Sequence, residues 1–185
     1  MEERIACAYR LKLAADGTFF RKETGWSDFH SASDEMSVAE GCTHVVCADI
    51  SDFYNQISHH RIQGALAQAG IEENRTRVIE RFLSNINAKH HSRGIPVGPA
   101  VSILLAEACL ADVDNFLRQQ YRHTRYVDDF RTFCKSHADA VQALHDLSEF
   151  LHTAHRLSLQ AGKTFILERE KFRLGRVNTN GELRR

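Results

Sequence analysis

Asp128 and Asp129 stand side by side between two short β-forming runs, Arg125-Tyr126-Val127 before them and Phe130-Arg131-Thr132-Phe133 after. The pattern predicts a β-hairpin with both carboxylates at its tip. Adjacent carboxylates repel each other, so such a pair rests easily only beside a cation. A divalent metal is the usual one, because hard cations take oxygen ligands. Plain turn chemistry is the alternative, since Asp tolerates turn conformations well. A third carboxylate, Asp49, closes the apolar, β-rich stretch 43–50, which reads as a buried central strand. An Asp in that place either caps the next element or projects from a sheet edge into a site.

Other elements are needed to bring these carboxylates together. Both prolines of the chain fall in Gly94-Ile95-Pro96-Val97-Gly98-Pro99. That density of Gly and Pro predicts a rigid, irregular loop, and the bare backbone at Gly94 and Gly98 would admit a ligand or another chain segment closely. Helices are expected at 31–40, from an N-cap at Ser58 to Ala69, at 72–86, at 100–120, and from an N-cap at Ser136 to about His155. Strand fragments are expected at 5–13 and 18–21, then at 157–160 and 164–168 around Ala161-Gly162-Lys163. A last strand would begin within 172–177. The order of elements is α+β.

Composition narrows the classes. With 185 residues, 43% hydrophobic and 26% charged, the sequence has enough material for one domain with a sizeable core. No apolar run reaches the ~20 residues of a membrane helix, and the first residues lack a signal-peptide layout. A cytoplasmic protein without membrane contact is the expectation. Five scattered cysteines suggest buried free thiols, and eleven histidines come without a Cys/His or H-E-x-x-H cluster. Net charge is zero, which speaks against a strongly basic nucleic-acid binder. The distribution is uneven: 156–185 holds eight basic against three acidic residues, and 1–40 holds five against eight. A basic C-terminal face would follow a phosphate backbone, or be simply solvated.

Four segments in this order resemble the palm of reverse transcriptases. Asp49-Ile-Ser-Asp-Phe-Tyr54 resembles the first catalytic motif, Gly94-Ile-Pro-Val-Gly-Pro99 with Ser102 the second, Tyr126-Val-Asp-Asp129 the third, and Gly162-Lys163 the fourth. The resemblance implies a right-hand polymerase palm, a small antiparallel sheet packed by helices, with partial fingers and no evident thumb. It would divide the chain into partial fingers at 1–43, a palm at 44–178 with a helical fingers-type insertion at about 58–93, and a tail at 179–185. The implied activity is RNA-directed DNA polymerisation, an in-line transfer of a nucleotide to a 3′-hydroxyl through two metals. Asp49, Asp128 and Asp129 would be catalytic. Asp49, Ile50 (through its carbonyl), Asp128 and Asp129 would hold two Mg²⁺ ions, with Mn²⁺ as a substitute. Phe53, Tyr54, Gly98, Lys163 and Arg10 would line the nucleotide site, with Arg21 and Lys22 beside Arg10, and Tyr54 would reject a 2′-hydroxyl. The implied partners are an RNA template with a primer or an RNA–DNA hybrid, a dNTP, and a protein or second copy supplying the missing thumb.

Val97 stands where many reverse transcriptases carry Gln. The form of the second motif, followed by Leu104-Leu-Ala-Glu107, is closer to the bacterial abortive-infection and defence-associated branch. Two other readings stay open. One is a non-catalytic palm that serves as an RNA-binding or interaction subunit. The other is an RNA-directed RNA polymerase, against which Val127 and Tyr54 speak. The loop that a nucleotide cyclase would need is absent from the sequence.

Overall fold

A computed structural model describes residues 6–8, 25–86 and 92–177. Four strands form one antiparallel sheet in the order β2-β3-β1-β4: β1 (His44–Asp49), β2 (Arg122–Tyr126), β3 (Asp129–Cys134) and β4 (Phe165–Glu168). The helices are α1 (Trp26–Val38), α2 (Phe53–Gln56), α3 (His59–Gln68), α4 (Glu73–Ile86), α5 (Ala100–Leu117), α6 (His137–Phe150) and α7 (Arg169–Val177). The mixed helix and antiparallel-sheet architecture agrees with the α+β expectation.

Strand β1 is central, and both of its faces are covered. Val46 and Ala48 join Phe130, Leu110, Leu147 and Leu151 in the main core, on the side of α5 and α6. Val45 and Cys47 point the other way, to a smaller cluster with Met36, Phe133 and Phe172 from α1, β3 and α7. A strand buried on both sides must be apolar throughout, which is why 43–50 carries no polar alternation. The five cysteines are buried free thiols. Among the described residues no helix is long and apolar enough to cross a membrane.

Most elements fall where the sequence puts them, and the departures have packing causes. Helix α1 starts at Trp26, before the expected 31–40, because Trp26 and Phe29 both pack on Tyr126, at ring distances of 5.2 and 6.0 Å. Ser136 caps α6 by accepting the Asp139 N–H at 3.1 Å, whereas Ser58 makes no side-chain cap. The expected strand at 157–160 is reduced to one bridge, Leu159 with Ile50, and Ala161–Lys163 forms a 3₁₀ turn. The expected strand within 172–177 is part of α7, whose turns bury Phe172 edge-on against Phe133 at 6.4 Å. The fragments expected at 5–13 and 18–21 lie outside the described residues, except that Ala6 bridges Arg125 and the Cys7 N–H donates to the Arg125 carbonyl at 2.8 Å.

Leu110 is fully buried in α5 at the centre of the main core, while Val141 lies half-exposed on α6. Leu110→Ala is expected to cost about 3 kcal/mol in urea unfolding, against less than about 0.5 kcal/mol for Val141→Ala.

Candidate active site

The register of β1 and β3 sets Asp49 directly opposite Asp129. Cross-strand partners share a face, so the two carboxylates project from the same side of the sheet. Asp128 precedes Asp129 in the two-residue loop Val127-Asp128 that joins β2 to β3. Its carbonyl accepts the Ile50 N–H at 3.1 Å, which ties the loop to the end of β1. The three aspartates singled out in the sequence are therefore gathered at one end of the central strand pair.

Like charges directly opposite each other destabilise a sheet. Here two cations offset them. Lys163 Nζ donates to Asp49 Oδ2 at 2.9 Å, and Arg131 pairs with both carboxylate oxygens of Asp129. Lys163 owes its place to the chain before it: the Ser51 N–H donates to the Ser158 carbonyl and the Gln160 N–H to the Asp49 carbonyl, at 2.9 and 2.8 Å. Those bonds lay the 3₁₀ turn beside Asp49. The two cations differ in freedom, since the Lys163 side chain is 61% exposed and that of Arg131 is 16% exposed. Arg131 also lies over the Phe29 ring at 5.3 Å.

Burial pushes the Asp128 carboxyl up to about 6, and the charges of Asp49 and Asp129 act in the same direction. Burial also raises Asp129, with Arg131 working against it. The hydrogen bond to Asp49 raises Lys163. Tyr54 is raised first by burial and then by the charges of Asp128 and Glu107.

Tyr54 sits on the short helix α2, half-buried, and its carbonyl accepts the Ile95 N–H at 2.8 Å. The Gly94 N–H donates to the Ile57 carbonyl at the same distance. These bonds dock the Gly/Pro loop against α2. Gly98, at φ +111°, has open space where a Cβ would stand, and Val97 is 76% exposed. Phe53 is different: it is 2% exposed and packs in the main core, which leaves its ring no face to offer a nucleotide. Ile50 is buried, and its N–H is taken by the Asp128 carbonyl. Arg10, with Arg21 and Lys22, lies outside the described residues.

One group of residues beside the site was not singled out from the sequence. Arg125 is fully buried on β2. Its guanidinium donates to Glu107 (2.8 and 3.0 Å), to Asp114 (2.7, 2.9 and 3.2 Å) and to the Val127 carbonyl (2.9 Å). His123 Nε2 lies 3.2 Å from Asp114 Oδ1. Burial alone would raise Asp114, but Arg125 and the His123 hydrogen bond hold it below the usual carboxylate range. The sequence carries only a partial signal for this cluster. Glu107 and Asp114 are seven residues apart, hence on one face of a largely apolar helix, and Arg122-His-Thr-Arg125 is a polar run in strand position.

The donor set suits a hard divalent cation, being carboxylate and backbone oxygen throughout. Among the described residues no group of three His, Cys, Asp or Glu side chains is placed to hold a metal ion by itself.

The family model for reverse transcriptase (RNA-dependent DNA polymerase) matches residues 6–175. The chain belongs to this family. Solved structures of telomerase share the reverse transcriptase fold seen here. Apo telomerase from Candida tropicalis, truncated from its C-terminal domain, superposes with a TM-score of 0.58 at 11% identity, covering 75% of this chain and 35% of that one. The telomerase of Candida albicans, in complex with a TWJ fragment of telomeric RNA, gives 0.54 at 13%, covering 76% and 29%. The chain thus spans about a third of the length of these structures. No curated protein sequence matches it.

The raised Asp128 carboxyl makes the pH dependence testable. A carboxyl raised in the folded state stabilises the protein fully below its unfolded value of 3.8, and this contribution is lost as the pH rises through about 6. Without divalent ions, Asp128→Asn is therefore expected to gain on the wild type between pH 4 and 7, by up to about 3 kcal/mol in urea unfolding.

Proposed function

We propose that the chain is the catalytic core of an RNA-directed DNA polymerase. It adds deoxynucleotides to a primer 3′ end along an RNA template. The observation that carries this is Asp49 set in register against Asp129, with Asp128 in the adjoining loop, in a chain matched by the family model over 6–175. In this reading 44–178 is a right-hand palm, and 1–43 and 58–93 supply fingers-type elements. The form of the Gly94–Pro99 loop favours the bacterial defence-associated branch, acting in the cytoplasm with RNA and a partner protein or second copy. A non-catalytic RNA-binding subunit is the reading that a negative assay would favour.

Asp49 and Asp128 would hold two Mg²⁺ ions, with the Ile50 carbonyl beside them and Asp129 in support. When bound, the metals make the primer hydroxyl more nucleophilic and neutralise charge on the triphosphate. The protein's own residues do the rest. Asp129, paired with Arg131, keeps its place in the sheet and lends negative charge to the site. Lys163 turns from Asp49 toward the phosphates, which its exposed side chain permits. Tyr54 closes the sugar side of the pocket beside Asp128, and Gly98 lets the template or nucleotide lie against bare backbone. Arg10 is the candidate for the triphosphate from the fingers side.

The test is extension of an oligo(dT) primer on poly(rA) with labelled dTTP and Mg²⁺. The wild type is expected to extend it and the Asp128→Ala/Asp129→Ala variant to give none. Extension that survives in the double variant would sink the assignment of the site. Absence of extension in both, with RNA binding retained, would favour the interaction subunit.

Tyr54→Ala is expected to relax the choice of sugar. The ratio of UTP to dTTP incorporation should rise by about tenfold or more, as read from competing-nucleotide assays, since a bulky ring excludes the 2′-hydroxyl sterically. An unchanged ratio would place Tyr54 outside the sugar pocket.

A further inference from the structure

Val127 holds a left-handed backbone, φ 54°, in the loop that carries Asp128. That conformation suits Gly or Asn and is a strained one for a β-branched side chain, so something must hold it there. The Val127 carbonyl accepts a hydrogen bond from Arg125 Nη1 at 2.9 Å. Arg125 is itself immobile, since Glu107 and Asp114 on α5 take its remaining N–H groups. A guanidinium fork gripped by two carboxylates has a fixed direction as well as a fixed place.

From this geometry we infer that Arg125 is a positioning residue for the metal pair. Clamped by Glu107 and Asp114, it fixes the left-handed turn at Val127 and so sets where Asp128 stands relative to Asp49. This role rests on the proposed metal site, but the clamp on the turn is a property of the fold. The backbone bond from the Ile50 N–H to the Asp128 carbonyl, 3.1 Å, reports on the turn directly. Glu107 is the handle for testing it, because a change at buried Arg125 endangers folding. Glu107→Gln keeps the shape and one acceptor, but turns an amide N–H₂ toward the guanidinium.

Two readouts separate the clamp from the metal reading. The first is amide hydrogen exchange. In Glu107→Gln the Ile50 amide is expected to exchange about tenfold faster while the other β1–β3 ladder amides stay nearly unchanged. Adding Val127→Gly, which adopts the left-handed turn without strain, should return Ile50 most of the way. The second is Mn²⁺ affinity by electron paramagnetic resonance, expected to weaken about tenfold in Glu107→Gln and to recover with Val127→Gly. Uniform acceleration of the ladder amides, an unchanged Ile50, or no rescue by glycine would reduce the cluster to general core support and overturn the inference. So would a faster Ile50 with unaltered Mn²⁺ affinity. Should the wild type bind no Mn²⁺ while Ile50 behaves as expected, the metal site reading fails and the clamp stands.

Discussion

A guanidinium with no exposure to water is the constraint on which the arrangement depends. An isolated buried cation is untenable, and removing one partner from such a group costs several kcal/mol. Arg125 therefore dictates what surrounds it. Helix α5 must turn Glu107 and Asp114 toward β2, and they lie two helical turns apart on the same face. The Phe130 ring lies beneath the guanidinium at 5.9 Å, on the neighbouring strand. Once α5 is fixed in rotation against the hairpin, its N-terminus fixes the end of the Gly/Pro loop, which docks on α2 through the Tyr54 and Ile57 carbonyls. One ionic cluster thus locks together the elements that bear the second and third motifs.

The opposite face of the sheet has the reverse problem, too much negative charge. Asp49 and Asp129 face each other, and Asp128 adjoins them. Two cations relieve the repulsion unequally. Arg131 is mostly buried, forked onto Asp129 and laid over Phe29, so its carboxylate partner stays occupied. Lys163 is mostly in water, where an ion pair is worth little, and it gives way at small cost to a better cation. The asymmetry is in keeping with the proposed site, in which Asp49 would exchange its ammonium for a metal shared with Asp128 and Asp129 would serve as a fixed charge.

Local signals made much of this legible. The apolar run to Asp49, the hairpin around Asp128-Asp129 and the Gly/Pro loop are written in short stretches of sequence, and each forms where periodicity and turn chemistry place it. Residues whose state is set by distant partners were not legible in the same way. Trp26 belongs to α1 because Tyr126 receives it, and Phe172 is helical because Phe133 does. Phe53 stands in a motif position, yet its ring serves the core. The strand at 157–160 fails because only Leu159 finds a partner, opposite Ile50. Arg125 was the costliest omission. A cation in a strand reads as surface until its two carboxylates, on a helix elsewhere in the chain, are seen to face it.

Three departures from ordinary folding rules fall in consecutive residues. Val127 takes a backbone suited to glycine, Asp128 has a carboxyl driven up by burial, and Asp129 faces a like charge across the ladder. Each works against stability, although a left-handed backbone alone also occurs at Asp52, Ser92 and Arg156. Strain persists only where the surroundings over-determine it. The surroundings here do so: fully buried Phe130 follows directly, Tyr126 is packed by α1, and Arg125 grips the turn from below. A sequence selected for stability alone would place Gly or Asn at 127 and a neutral residue at 128. Holding three unfavourable choices rigidly in one turn makes sense where a ligand supplies what the free fold lacks, positive charge at the carboxylates. The same rigidity keeps the carboxylates from turning away to solvent, the cheaper escape from their repulsion.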